Sequence, residues 1–171
     1  MNDTHKAEGH SGYERLQQTK SIEEILQTAM SFEKSAQEFY SALVNKVSKP
    51  IRALVQELAE EEALHYQMFK ELHDNPIVHD LVKKRIDTPE SDHRFSDYIQ
   101  LPDLGEAPDD QSILQYALGR EQAAMEQYSA LAEDVPEGPL QDVFRFLSLE
   151  ELEHKKELEK RYYEIVHSGG V

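Results

Sequence analysis

Apolar residues recur every three or four positions along four stretches of the chain, the spacing that gathers them on one face of an α-helix. Ser21-Ile22-Glu23-Glu24 reads as a capping box and predicts a first helix from Ser21 to about Asn45. After a turn at residues 46–50, Pro50 opens a second helix that runs to about His73, before Asn75-Pro76 ends it. Asp109 and Asp110 are candidate caps for a third helix to about Ala132. A tight turn at 133–138 follows, and Pro139 starts a fourth helix that reaches about His167, ahead of Gly169 and Gly170.

Two helical hairpins therefore flank a long link at 76–110, whose first part, Pro76 to about Lys84, reads as a short helix. Residues 1–20 are polar and read as a flexible arm, with residues 21–167 as a single helical domain. The halves also resemble each other. The run from Glu33 to Tyr40, followed by Ser41-Ala42-Leu43, matches the run from Glu121 to Tyr128, followed by Ser129-Ala130-Leu131, 88 residues on. Glu62 and His65 match Glu151 and His154 at an offset of 89 residues, one extra residue in the second turn accounting for the difference. This is the signature of a duplicated helix pair.

The repeated positions carry the chemistry. Glu33 shares its helix face with Leu26, Ala29, Ala36 and Tyr40, and Glu121 with Leu114, Ala117, Leu118, Ala124, Met125 and Tyr128. Glu62 lies among Val55, Leu58, Ala59, Tyr66 and Phe69, and Glu151 among Phe144, Leu147 and Leu158. Four carboxylates are thus predicted to enter one core. Glu33, Glu62, Glu121 and Glu151 each lie about 12 residues, or ~18 Å of helix, from their own hairpin turn, so all four reach one level of the bundle. His65 and His154 follow their glutamates by three residues, on the same face. Burying unpaired carboxylates costs several kcal/mol each, and Lys155 is the one base read as close to these faces. Bound cations answer the charge: four carboxylates at about −4 balance two divalent ions at about +4. Oxygen and nitrogen donors suit two iron ions, with manganese or zinc as alternatives.

Composition narrows the partners. The net charge of −16 works against nucleic acid and anionic membrane surfaces. The absence of cysteine rules out disulfides and thiolate-bound metal within this sequence. No apolar run approaches the ~20 residues needed to span a bilayer, and the polar start lacks the apolar segment of a secretory signal. A cytoplasmic protein is the expectation.

One Glu from each of two helices, plus Glu-x-x-His from each of the other two, is the carboxylate pattern of di-iron and di-manganese bundles. With Glu33, Glu62-Ala63-Leu64-His65, Glu121 and Glu151-Leu152-Glu153-His154, residues 21–167 resemble the rubrerythrin branch of the ferritin-like superfamily. The resemblance implies an all-α, antiparallel four-helix bundle with a long crossover between helices two and three, commonly a homodimer. It also implies a non-haem di-iron centre acting on peroxide or dioxygen. Rubrerythrins append a rubredoxin domain with four cysteines. In this chain, without cysteine, the implied electron donor is external, rubredoxin-like or a flavoprotein. They also carry an extra glutamate three residues after the helix-three ligand, where this chain has Ala124.

Glu62 and Glu151 are expected to bridge the ions and Glu33 and Glu121 to bind one ion each. Tyr40 and Tyr128 are expected either to hydrogen-bond across to a ligand or to pack with hydroxyls at the rim. Glu60, Glu61, Glu150 and Glu153 are read as surface charge, some of it able to guide iron. Phe69, Phe144 and Phe146 are read as core. His5, His10, His73, His79, His93 and His167 lack a carboxylate at ligand spacing, with a tail site at His5 and His10 as a minor alternative. Three functions compete: an oxidoreductase using peroxide or dioxygen, a ferroxidase in iron handling, and a non-catalytic module with a vestigial site.

Overall fold

Four long helices dominate the described residues: α1 Ile22–Leu43, α2 Lys49–Asp74, α3 Asp110–Asp134 and α4 Pro139–Ser168. The structure, a computed structural model, describes residues 19–75, 80–88, 92, 94–105 and 107–168. The predicted caps form: Ser21 Oγ accepts the Glu24 N–H at 3.2 Å, and Asp109 Oδ1 accepts the Ser112 N–H at 2.7 Å. Each satisfies a backbone donor that the first helical turn leaves open. Pro50 sits in the first turn of α2 as expected. Gly138 leads into α4 at a φ of +145°, a conformation other residues rarely adopt.

α1 pairs with α2 and α3 with α4 as antiparallel hairpins. The starts of the hairpins' inner helices are tied by the Ser48 N–H, which donates to Asp110 Oδ1 at 3.1 Å. Helix ends differ from the expected ones by about two residues: α1 stops at Leu43 and α3 continues to Asp134.

Among the described residues, the buried apolar side chains fall into two clusters. The first gathers residues such as Leu26, Phe32, Phe69, Tyr128, Phe144 and Leu147. The second gathers Phe39, Tyr40, Val55, Leu58, Leu114 and Leu158. The level between them is occupied by the glutamates and histidines discussed below. Phe69 and Phe144 are core residues as expected, but Phe146 is 46% exposed.

The link departs from its expected form. Residues 76–79 lie outside the described residues, and the remainder of the predicted short helix is only a 3₁₀ turn at Leu81–Lys83. A strand, β2 (Arg85–Asp87), then pairs antiparallel with β1 (Thr19–Ser21). Thr19 and Lys20 therefore belong to the fold and not to an arm. Three-residue strands carry no alternation strong enough to read, so the pairing is set by where the link returns.

Further along, Phe95 stacks on Phe32 at 4.1 Å between ring centroids, and Tyr98 meets Tyr116 edge-on at 5.3 Å. Arg120, 1% exposed, fixes this stretch. Its guanidinium donates to the carbonyls of Tyr98 at 2.7 Å and Phe32 at 3.4 Å and lies over the Phe32 ring at 5.0 Å. Ser35 Oγ adds a bond to the Tyr98 carbonyl at 3.1 Å. The link is thus pinned between α1 and α3 of its own chain. Lys155, the base expected close to the buried carboxylates, turns away from them and pairs with Glu159 near the surface.

Replacing Arg120 with Met should keep the apolar stem and remove the charge-assisted bonds. Urea unfolding should show a loss of about 2–3 kcal/mol, with the link gaining amide exchange before the helices do. An unchanged midpoint would contradict the pinning role.

Candidate metal centre

All six predicted residues converge. Glu33, Glu62, Glu121 and Glu151 are each at most 2% exposed, and His65 and His154 are 3% and 5% exposed. α1 supplies Glu33, α2 supplies Glu62 and His65, α3 supplies Glu121, and α4 supplies Glu151 and His154. Their donor atoms form two groups, each within 4.8 Å: Glu33, Glu62, His65 and Glu151, and Glu62, Glu121, Glu151 and His154. Glu62 and Glu151 belong to both.

The two imidazoles face this space through the same atom. His65 Nδ1 lies 3.0 Å from Glu151, 3.4 Å from Glu62 and 3.6 Å from Glu33. His154 Nδ1 lies 3.2 Å from Glu62, 3.4 Å from Glu151 and 3.6 Å from Glu121. The rings are 5.7 Å apart and nearly parallel.

Tyr40 and Tyr128 reach across the bundle. Tyr40 Oη donates to Glu121 Oε1 at 2.6 Å, and Tyr128 Oη donates to Glu33 Oε1. Both tyrosines are fully buried, which removes the expectation of hydroxyls at the rim. Burial, the facing Glu121 and Glu62 charges for Tyr40, and the facing Glu33 and Glu151 charges for Tyr128 push both phenols well above their ordinary range, so they remain donors.

Glu61 was missed. Expected on the surface, it bonds through Oε2 to Nε2 of His154, on the side away from the carboxylates. The only hint in the sequence is that both ligand pairs are preceded by a glutamate, Glu61 and Glu150. Among the other histidines, His73 lies against Asp74 and Glu23, and His167 against the Tyr163 ring. His5, His10, His79 and His93 lie outside the described residues.

A cation fits this donor set. Seven buried atoms here lack a hydrogen-bond partner: Glu33 Oε2, both oxygens of Glu62 and of Glu151, and Nδ1 of His65 and of His154. Buried polar atoms are seldom left in this state. Without a cation, the group takes up protons. Burial and the Glu62 charge push Glu33 up to about 8. Burial and the charges of Glu121 and Glu62 push Glu151 well up as well. Burial acts to raise Glu62 too, but the protons of Glu33, His154 and His65 outweigh it and hold that carboxylate well below its usual range. Burial favours neutral imidazoles, yet the surrounding carboxylates, led by Glu151 for His65 and Glu121 for His154, keep both protonated.

Glu33, Glu151, His65 and His154 therefore gain proton affinity on folding. Stability from such groups is complete at low pH and is lost as pH rises through their folded values. Glu62 has the opposite sign, and its contribution fades as pH falls below the usual carboxylate range. For Glu33 the loss runs from about 4.5 to about 8. Chelator-treated protein should therefore melt at lower temperature at pH 8 than at pH 6, and a divalent metal should reverse the trend. A melting temperature that rises over this interval in metal-free protein would refute the proton-held site.

The comparisons agree with this geometry. Residues 24–100 match the family model described as Rubrerythrin. A candidate ferritin-like diiron-carboxylate protein from Thermotoga maritima superposes with a TM-score of 0.66 at 19% identity, covering 85% of this chain and 96% of its own. A hypothetical protein from Pyrococcus furiosus gives 0.67 at 24% identity, covering 86% and 91%. A dodecameric thioferritin, the bacterioferritin-related protein of Bacteroides fragilis, gives 0.64 at 22%, covering 87% and 88%. No curated protein matches. At these identities the structures establish the fold alone. The chain is rubrerythrin-like in sequence over residues 24–100 and has the ferritin-like helical-bundle fold.

Proposed function

We propose that the protein binds two iron ions and acts as an oxidoreductase on peroxide or dioxygen, drawing electrons from an external donor. One observation carries this reading: the two buried donor groups overlap, sharing Glu62 and Glu151. In this reading Glu33 and His65 complete one ion's ligands, and Glu121 and His154 the other's. Glu62 and Glu151, common to both groups, would serve both ions. When bound, an iron pair supplies one electron from each ion together with Lewis acidity.

The chain's own residues prepare the site for that chemistry. The apolar clusters on either side of the layer keep water out. Tyr128 holds Glu33 and Tyr40 holds Glu121, so each of these carboxylates is fixed from the opposite hairpin. The protons on Glu33, Glu151 and the imidazole Nδ1 atoms must leave as metal enters, which makes loading release protons. Ala124, fully buried, fills with a methyl group the place where the rubrerythrin resemblance implies a further glutamate.

A second reading, ferroxidase activity in iron handling, is favoured by one comparison: a structural neighbour is a dodecameric thioferritin. Solution mass separates the two, because a homodimer encloses no storage cavity and a cage does.

Anaerobic loading should give about two Fe(II) per chain. Peroxide should then oxidise the centre faster than dioxygen, and an added reductant should sustain turnover. Glu62→Ala and Glu151→Ala should each abolish loading. Fewer than about one ion per wild-type chain would reject both metal-dependent readings.

A further inference from the structure

Viewed from the carboxylate layer, His65 and His154 are equivalent. Each presents Nδ1 to three glutamates at 3.0–3.6 Å. Their outer sides differ. Nε2 of His154 is bonded to Glu61, whereas the described residues place no carboxylate on Nε2 of His65. Glu150, the counterpart of Glu61 in the duplicated half, does not restore the symmetry. It lies instead with Glu61 and His154, donor atoms within 4.8 Å.

The surroundings repeat the difference. His154 forms part of a groove between α2 and α4 lined by Glu57, Glu61, Glu150, Glu153 and Glu157. At the 89-residue offset, the positions equivalent to Glu57, Glu153 and Glu157 are Phe146, Leu64 and Met68. Acid surrounds one imidazole where apolar side chains occupy the matching positions beside the other.

We infer that Glu61 is a positioning residue that makes the two metal positions inequivalent, so that the ion held by His154 binds first and more tightly than the ion held by His65. The inference rests on the di-metal reading above. A carboxylate on the outer nitrogen fixes which nitrogen keeps its proton, holds the ring plane and increases the electron density at the metal-binding nitrogen. Glu61 does all three for His154. Removing such a partner lowers metal affinity by roughly 10–100-fold. Because Glu61 serves only one imidazole, that loss falls on one ion.

Co(II) titrated into the metal-free full-length chain tests this, read by calorimetry and visible absorption. The wild type should load in two phases separated by roughly 10–100-fold in affinity. Glu61→Ala should weaken the tighter phase by that factor and leave the weaker one in place. Glu61→Gln keeps an acceptor for the Nε2 proton and should recover part of the loss. Glu150→Ala removes equal charge from the same groove and should leave both phases. Proton NMR of the Co(II) protein should show one slowly exchanging imidazole N–H, which becomes fast in Glu61→Ala. Equal loss at both positions, no loss, or an equal effect of Glu150→Ala would overturn the inference. A wild type that binds no Co(II) would instead remove the di-metal reading, and this inference with it.

Discussion

Everything else in the molecule accommodates one constraint: four carboxylates and two imidazoles share a single layer from which water is excluded. Such a layer cannot form from isolated charges, because each would lose several kcal/mol of hydration without return. It forms only if the groups meet each other and a counter-charge. That requirement sets the position of each glutamate relative to its turn, since a shift of one residue rotates a side chain by about 100° and moves it off the layer. It also divides the apolar core into two clusters, one on each side. Tyr40 and Tyr128 link those clusters to the layer: each ring packs in an apolar cluster while its hydroxyl donates to a glutamate on another helix.

The duplicated halves explain the crossed arrangement of the tyrosines. A pseudo-twofold relation between hairpins brings Tyr40 to Glu121 and Tyr128 to Glu33 for the same geometric reason. A single link between the hairpins must break that relation, because it passes one side only. Arg120 marks the break. Its counterpart in the first half is Phe32, and the two lie face to face, guanidinium over ring at 5.0 Å. On one side the position packs an aromatic ring against Phe95; on the other it supplies a cation that captures a link carbonyl, that of Tyr98.

The six clustered residues were legible in the sequence because helical periodicity is a strong constraint. Counting residues from the turns fixes height, and spacing of three or four fixes the face. The two caps were legible for a similar reason, since the capping side chain is three residues from the amide it accepts. Arg120 and Glu61 were not, although each adjoins a ligand in sequence. Adjacent positions point about 100° apart on a helix, so Glu61 reads as surface charge, and the sequence offers no role for Arg120. What lies there is decided by tertiary structure: the link for Arg120, and α4 for Glu61. The β1–β2 pairing was hidden for the same reason, as nothing local in Arg85–Asp87 indicates which segment it meets.

The protons held by the metal-free layer bear on how the protein reaches its working form. Small zinc domains need metal to fold because they have little else to bury. Here two apolar clusters are buried on either side of the layer, and protonated Glu33, Glu151, His65 and His154 offset the charge within it. The bundle can therefore assemble first and exchange protons for metal afterwards. The exchange is favourable because a divalent ion satisfies several oxygen lone pairs at once, whereas a proton satisfies one or two. The layer is costly to bury, tolerable when protonated and well satisfied when metallated. A polar layer in that order of preference is preorganised for cations, and the fold around it determines which side chains meet them.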